Sequence, residues 1–136
     1  MEKKTALKKT ASPFGNFHYR GTDLYCEDVR IADVLRQTGT PAYIYSYKSF
    51  TENIAKLQKA FGAASPLICF SMKANSNLAV LKTVVAEGAG LDIVSGGELY
   101  RARQVECPPE RIVFAGVGKN EAEIADAVRY GILLFN

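Results

Sequence analysis

The run Leu67-Ile-Cys-Phe-Ser-Met-Lys-Ala-Asn-Ser-Asn77 reads as a buried strand that ends on a lysine, with small and polar residues straight after it. Such an amine has two uses. It can be a solvated cap, its stem lying along apolar surface and its charge in water. It can also be a nucleophile, because a lysine beside an apolar strand is partly desolvated, which frees its lone pair for Schiff-base formation. Position alone favours the solvated cap, since most lysines at a protein surface do no chemistry.

A second candidate is Asp92, in Asp92-Ile-Val-Ser-Gly-Gly-Glu-Leu99. A lone carboxylate inside an apolar strand is costly to bury unless it is hydrogen-bonded or faces a charged partner. It is either a hydrogen-bonded strand aspartate or a group that orients a cation or a cofactor. Ser95-Gly96-Gly97-Glu98 fits a capping box, and two glycines at a helix start let an anion approach the free N–H groups there. Glu98 is read as a capping residue.

Other patterns fail. In Phe114-Ala-Gly-Val-Gly-Lys-Asn-Glu121 a phosphate loop would need glycine where Val113 stands and Ser or Thr where Asn120 stands. Asn120 and Glu123 instead suit a helix start. Gly88-Ala-Gly-Leu-Asp-Ile93 has isoleucine where a dinucleotide fingerprint needs its third glycine. The single histidine, His18, lies far from any serine or cysteine nucleophile pattern and is read as structural. Cys26, Cys69 and Cys107 match no zinc spacing, so no metal site is expected. Their odd number suits a reducing compartment, hence the cytoplasm.

These groups need a scaffold. Phe17 to Ile31 suggests a hairpin around Gly21-Thr-Asp23, then a helix that Gly39 and Pro41 end, then a short strand Ala42–Ser46. Phe50, Ile54, Leu57 and Phe61 lie on one helical stripe, with Ser49 and Glu52 as its capping box. From there strand and helix alternate. Strands start at 67, 91, 112 and 132, and helices run over Leu78–Ala86, Glu98–Val105 and Glu121–Tyr130. Short strands apolar on both faces, with helices between them, predict a parallel sheet covered on both sides. The spacing suits successive β/α units of a barrel or a doubly wound sheet.

The chain has 136 residues and a net charge of +3, with four of its lysines in the first nine residues. That is one domain's length, and too little charge to argue for nucleic acid. Residues 1–16 are expected to be a flexible basic tail. No apolar run is long enough to span a membrane. The fourth strand has no helix after it, and four strands cannot close an eight-stranded barrel. The chain is therefore expected to be the front part of a longer protein, with strand Ile132–Phe135 an unpaired apolar edge.

Gly39-Thr-Pro-Ala-Tyr-Ile-Tyr-Ser46, Cys69-Phe-Ser-Met-Lys-Ala-Asn-Ser-Asn77, Gly90-Leu-Asp-Ile-Val-Ser-Gly-Gly-Glu-Leu99, Pro108 to Ile124 and Gly131 to Asn136 together resemble the N-terminal half of the diaminopimelate decarboxylases. These belong to the alanine-racemase-like, fold type III pyridoxal-phosphate enzymes. The resemblance implies an α/β fold, the front half of a pyridoxal-phosphate-binding (β/α)8 barrel over residues 48–136. Before it, residues 17–47 would hold a short helix and a β segment belonging to a C-terminal β domain that is absent here.

The resemblance also implies that Lys73 holds pyridoxal phosphate covalently and that Asp92 lies close to it, with Ser71, Ala74 and Asn75 in support. Ser71 stands where many members have alanine. The implied reaction converts meso-2,6-diaminopimelate to L-lysine and carbon dioxide, the last step of lysine biosynthesis, in a cytoplasmic homodimer with a small amino-acid substrate. The ring-stacking histidine, the glutamate on the pyridine nitrogen and the phosphate loop would come from later strands, so the 136-residue chain alone is expected to be inactive. A non-catalytic truncated product, an ornithine or arginine decarboxylase and a cofactor-homeostasis barrel are the alternatives.

Overall fold

The computed structural model describes residues 15–136. The expected basic tail, residues 1–16, lies outside them except for its last two positions. The chain packs as two compact units that divide between Ser49 and Phe50.

The first unit is built on the expected hairpin. Strands β1 (Phe17–Arg20) and β2 (Asp23–Cys26) pair antiparallel, with Phe17 opposite Cys26 and Arg20 opposite Asp23. Strand β3 (Val29–Arg30) adds to β2, and helix α1 (Ile31–Thr38) follows directly. Gly39 ends α1 and donates its N–H to the Leu35 carbonyl at 2.8 Å. His18 is spent within the hairpin: it accepts a hydrogen bond from Arg20 Nε at 3.1 Å and stacks on Tyr25.

Residues 42–46, expected as a strand, belong to no sheet among the described residues. Their last member serves the next helix instead. The Ser46 hydroxyl donates to Glu27 Oε1 at 2.8 Å and accepts the Ser49 N–H at 3.0 Å. Glu27 Oε1 also accepts the Lys48 N–H at 2.9 Å. The two side chains satisfy donors that a helix leaves free in its first turn. Helix α2 (Tyr47–Phe61) thus starts two residues before the expected Ser49 cap.

In the second unit only part of the α2 stripe is used. Ile54 is buried and Phe50 meets Phe70 edge-on, but Leu57 and Phe61 stay 48% and 52% exposed. Strand β4 (Cys69–Ser71), helix α3 (Leu78–Ala86), strand β5 (Gly90–Ile93), helix α4 (Gly96–Gln104), strand β6 (Ile112–Phe114), helix α5 (Glu121–Tyr130) and strand β7 (Leu134–Phe135) then alternate. The four strands form one parallel sheet in chain order. Helices α3 and α5 have the bounds their apolar spacing predicts. Each begins on an asparagine: Asn77 accepts the Ala79 N–H at 2.8 Å, and Asn120 and Glu123 form a complete capping box.

Leu91, Ile93, Ile112 and Phe114 are fully buried, packed with Leu81, Val84, Leu99, Ala102 and Ala127 from the helices. The alternate positions form a row, Ser71–Asp92–Val113–Leu134, joined residue to residue by the register. Ser71, Asp92 and Val113 are half-buried and Leu134 is exposed. The expectation of a sheet covered on both sides is corrected here: the three helices bury one face, and the row lies on the other. Successive side chains in a strand point to opposite faces, so one face is core and the other is left for a site. Gly90 must be glycine for the strands to pack, since a Cβ there would stand 2.2 Å from the Arg111 carbonyl. No helix among the described residues is long and apolar enough to cross a membrane.

Candidate active site

Lys73 does not sit on the strand itself. Strand β4 ends at Ser71, and Met72–Ala74 form one 3₁₀ turn that packs against β5. Met72, fully buried, takes the core position. Lys73, the next residue, is therefore turned outward and is exposed at the carboxyl end of the sheet. Partial desolvation of this amine, expected from the apolar run before it, is absent: the turn gives the apolar contact to Met72. Among the described residues Lys73 has no hydrogen bond or ion pair.

Ser71 and Asp92 lie directly opposite each other in the β4–β5 register. Ser71 Oγ and Asp92 Oδ1 are both buried atoms with no hydrogen-bond partner. A buried polar atom left unpaired costs about 1–3 kcal/mol. Both atoms lie on the open face of the sheet. Cys69 shares this face, and burial, with a smaller contribution from the Asp92 charge, pushes its thiol up.

Asn75 is placed differently. Its Oδ1 accepts the Asn77 N–H at 3.0 Å, which shapes the entry to α3. The structure thus brings Ser71 and Asp92 together beside the Lys73 turn and commits Asn75's carbonyl oxygen to the backbone.

The glycine pair at the start of α4 suits an anion. An anion does sit there, but it belongs to the chain. Glu123 Oε1 accepts the Gly96 N–H at 2.7 Å, while its Oε2 accepts the Asn120 N–H at 3.1 Å. These N–H groups, Gly96 first, hold the Glu123 carboxyl below its usual range. Ser95 Oγ accepts the Glu98 N–H, and Glu98 reaches back to the Val94 N–H at 2.7 Å, not to Ser95. The expected Ser95–Glu98 box is therefore half-formed and shifted by one residue. Glu123's reach across to α4 was missed; a glutamate three residues after Asn120 signals only its own helix. Lys119, the lysine of the failed phosphate loop, donates to the Gly116 and Asn136 carbonyls.

Residues 47–136 match the family described as pyridoxal-dependent decarboxylase, pyridoxal binding domain. The chain belongs to the pyridoxal-dependent decarboxylases. This chain is 46% identical over 130 residues to the diaminopimelate decarboxylase of Aquifex aeolicus, covering 96% of this chain and 30% of that protein. It is 43% identical over 113 residues to the diaminopimelate decarboxylase of Neisseria meningitidis serogroup B, covering 83% and 27%. A crystal structure of an Aquifex aeolicus protein, 44% identical, superposes with a TM-score of 0.80 over 89% of this chain and 30% of that one. The diaminopimelate decarboxylase of M. jannaschii, solved with L-lysine, is 27% identical with a TM-score of 0.79, over 89% and 29%. The chain spans about 30% of the length of these relatives. The expected fold, the front part of a β/α barrel, agrees with these matches.

The family's cofactor is pyridoxal phosphate, and the open face fits it in part. A free amine and two unpaired buried oxygens stand at one end of the sheet, which suits a polar aromatic aldehyde. The phosphate is a different matter: the α4 N-terminus, the most inviting anion site here, is already filled by Glu123.

Proposed function

We propose that this chain is the cofactor-anchoring part of a diaminopimelate decarboxylase, which converts meso-2,6-diaminopimelate to L-lysine and carbon dioxide. The observation that carries the reading is the Lys73 turn, which follows the carboxyl end of the first parallel strand and packs against β5, where Ser71 and Asp92 hold unpaired oxygens on one face. Functional groups of β/α barrels gather at that end. The names of the curated relatives, at 46% and 43% identity, support the diaminopimelate substrate.

In this reading Lys73 holds pyridoxal phosphate through Nζ, and Asp92 and Ser71 line the polar side of the site. Asn75 supports the lysine indirectly, by fixing the bend between the turn and α3. When bound, the cofactor supplies an electron sink for the pair released as carbon dioxide leaves. The complete enzyme is a cytoplasmic homodimer that takes a small amino-acid substrate.

The test is Lys73→Ala in the complete protein. The absorbance band of lysine-bound cofactor is expected to vanish, and borohydride should leave no cofactor attached to the chain. A retained band, with borohydride fixing the cofactor to another lysine, would reject the assignment.

A further inference from the structure

We infer that Lys119 is a positioning residue for the substrate: by fixing the loop between β6 and α5 it sets the shape of the mouth at the carboxyl end of the sheet. The inference rests on the reading of that end as the decarboxylase site, and adds to it a residue two strands away from the Lys73 turn.

Three observations carry it. First, residues 115–119 follow the carboxyl end of β6, the same end of the parallel sheet at which Lys73 follows β4. Loops at that end of a β/α barrel meet the substrate. Second, the Lys119 ammonium ties the loop to the next strand. It donates to the Gly116 carbonyl within the loop and, at 2.8 Å, to the Asn136 carbonyl just past β7. Asn136 is itself fixed, since its N–H donates to the Phe114 carbonyl at 3.0 Å. At its other end the loop starts from β5, where Ala115 donates to the Ile93 carbonyl at 2.8 Å. Third, little else holds the tip. Among the described residues Lys119 makes the only hydrogen bond to the backbone of residues 116–118. Gly116, with φ at +89°, and Gly118 leave that backbone free to turn, and Val117 between them is wholly exposed.

The ammonium suits this task. It is half-buried and lies 5.5 Å from the centre of the Phe114 ring, which favours a cation. A lysine carries three donors, so one amine serves both carbonyls at once. A methionine in its place reaches neither. The freed loop then samples several positions, and the substrate must order it again on binding. That cost lowers affinity without touching the reacting atoms. Lys119→Met is therefore expected to raise KM about fivefold, which is about 1 kcal/mol at about 1.4 kcal/mol per tenfold.

The experiment is steady-state kinetics of the complete protein with meso-2,6-diaminopimelate, beside the pyridoxal-phosphate dissociation constant from equilibrium dialysis. Lys119→Met should raise KM about fivefold while kcat and cofactor affinity stay within about twofold, the pattern of lost substrate binding. Lys119→Arg, which keeps the charge and the donors, should bring KM back to within about twofold. An unchanged KM in Lys119→Met, or a KM left high in Lys119→Arg, overturns the proposal. So does a joint loss of kcat and cofactor affinity, the mark of a lysine that merely supports the fold. Circular dichroism identifies a Lys119→Met protein that fails to fold, and Lys119→Gln, shorter and uncharged, then takes its place under the same criteria. Failure of the site reading shows separately: the unsubstituted protein releases no carbon dioxide from diaminopimelate, or a borohydride-fixed cofactor survives Lys73→Ala.

Discussion

The carboxylate of Glu123 closes the start of α4: it accepts the Gly96 N–H at 2.7 Å while capping its own helix α5 through Asn120. Two helix N-termini are thus neutralised by one side chain. A Cβ on residue 96 would stand 3.1 Å from Glu123 Cγ, so any larger residue there would push the Glu123 side chain back by a few tenths of an ångström.

This clamp has a pH signature. The folded-state pKa of Glu123 lies below its unfolded value, so its contribution is present above the unfolded pKa and is lost as pH falls through the folded one. The unfolded value is about 4.3. Thermal unfolding of the complete protein should therefore lose stability on acidification below that pH, and Glu123→Gln should lose less over the same range. Identical acid limbs for both proteins would show that the clamp contributes nothing.

Asp92→Asn keeps the shape of the side chain and removes its charge. The variant should fold normally, because Asp92 Oδ1 holds no partner whose loss could unfold the sheet. Its kcat/KM in the complete enzyme should fall by roughly tenfold or more, as for loss of a charged group at a reacting centre, where each 1.36 kcal/mol is tenfold. Unchanged kinetics would make Asp92 an ordinary strand residue.

Phe114 is fully buried and stacks on Phe135 at 5.8 Å. Phe114→Ala should cost about 3–5 kcal/mol, measured by urea denaturation, because the helices and strands around it cannot collapse into the space. A loss below about 1 kcal/mol would mean that this layer repacks freely.

The thiols give a labelling order. Burial pushes Cys107 up to about 11, and it is 1% exposed. The thiolate is the reactive form. Under native conditions at pH 8, Cys107 should be labelled by iodoacetamide far more slowly than in urea. Rapid native labelling would show that the core opens locally at Cys107.

Much of the second unit was legible in the chain. Helices α3 and α5 came out at the bounds their apolar spacing predicts, because an asparagine cap and a following glycine are local signals that no distant contact has to complete. The parallel sheet followed from the alternation of short apolar runs with helices. Local signals misled where a competing partner was distant in sequence. Ser49 and Glu52 form a plausible box, yet Ser46 caps α2, since Glu27 supports Ser46 from 19 residues away. Residues 42–46 alternate like a strand, but they join no sheet among the described residues.

The sequence by itself determined the candidate groups, the parallel β/α order and the family, since each depends on residue type and spacing along the chain. Tertiary structure alone decided that Ser71 stands opposite Asp92, that Met72 buries while Lys73 turns out, and that Glu123 fills the start of α4. Register between strands and contact between helices bring together residues 21 and 27 positions apart. No pattern within either segment encodes which atom of the other it will meet.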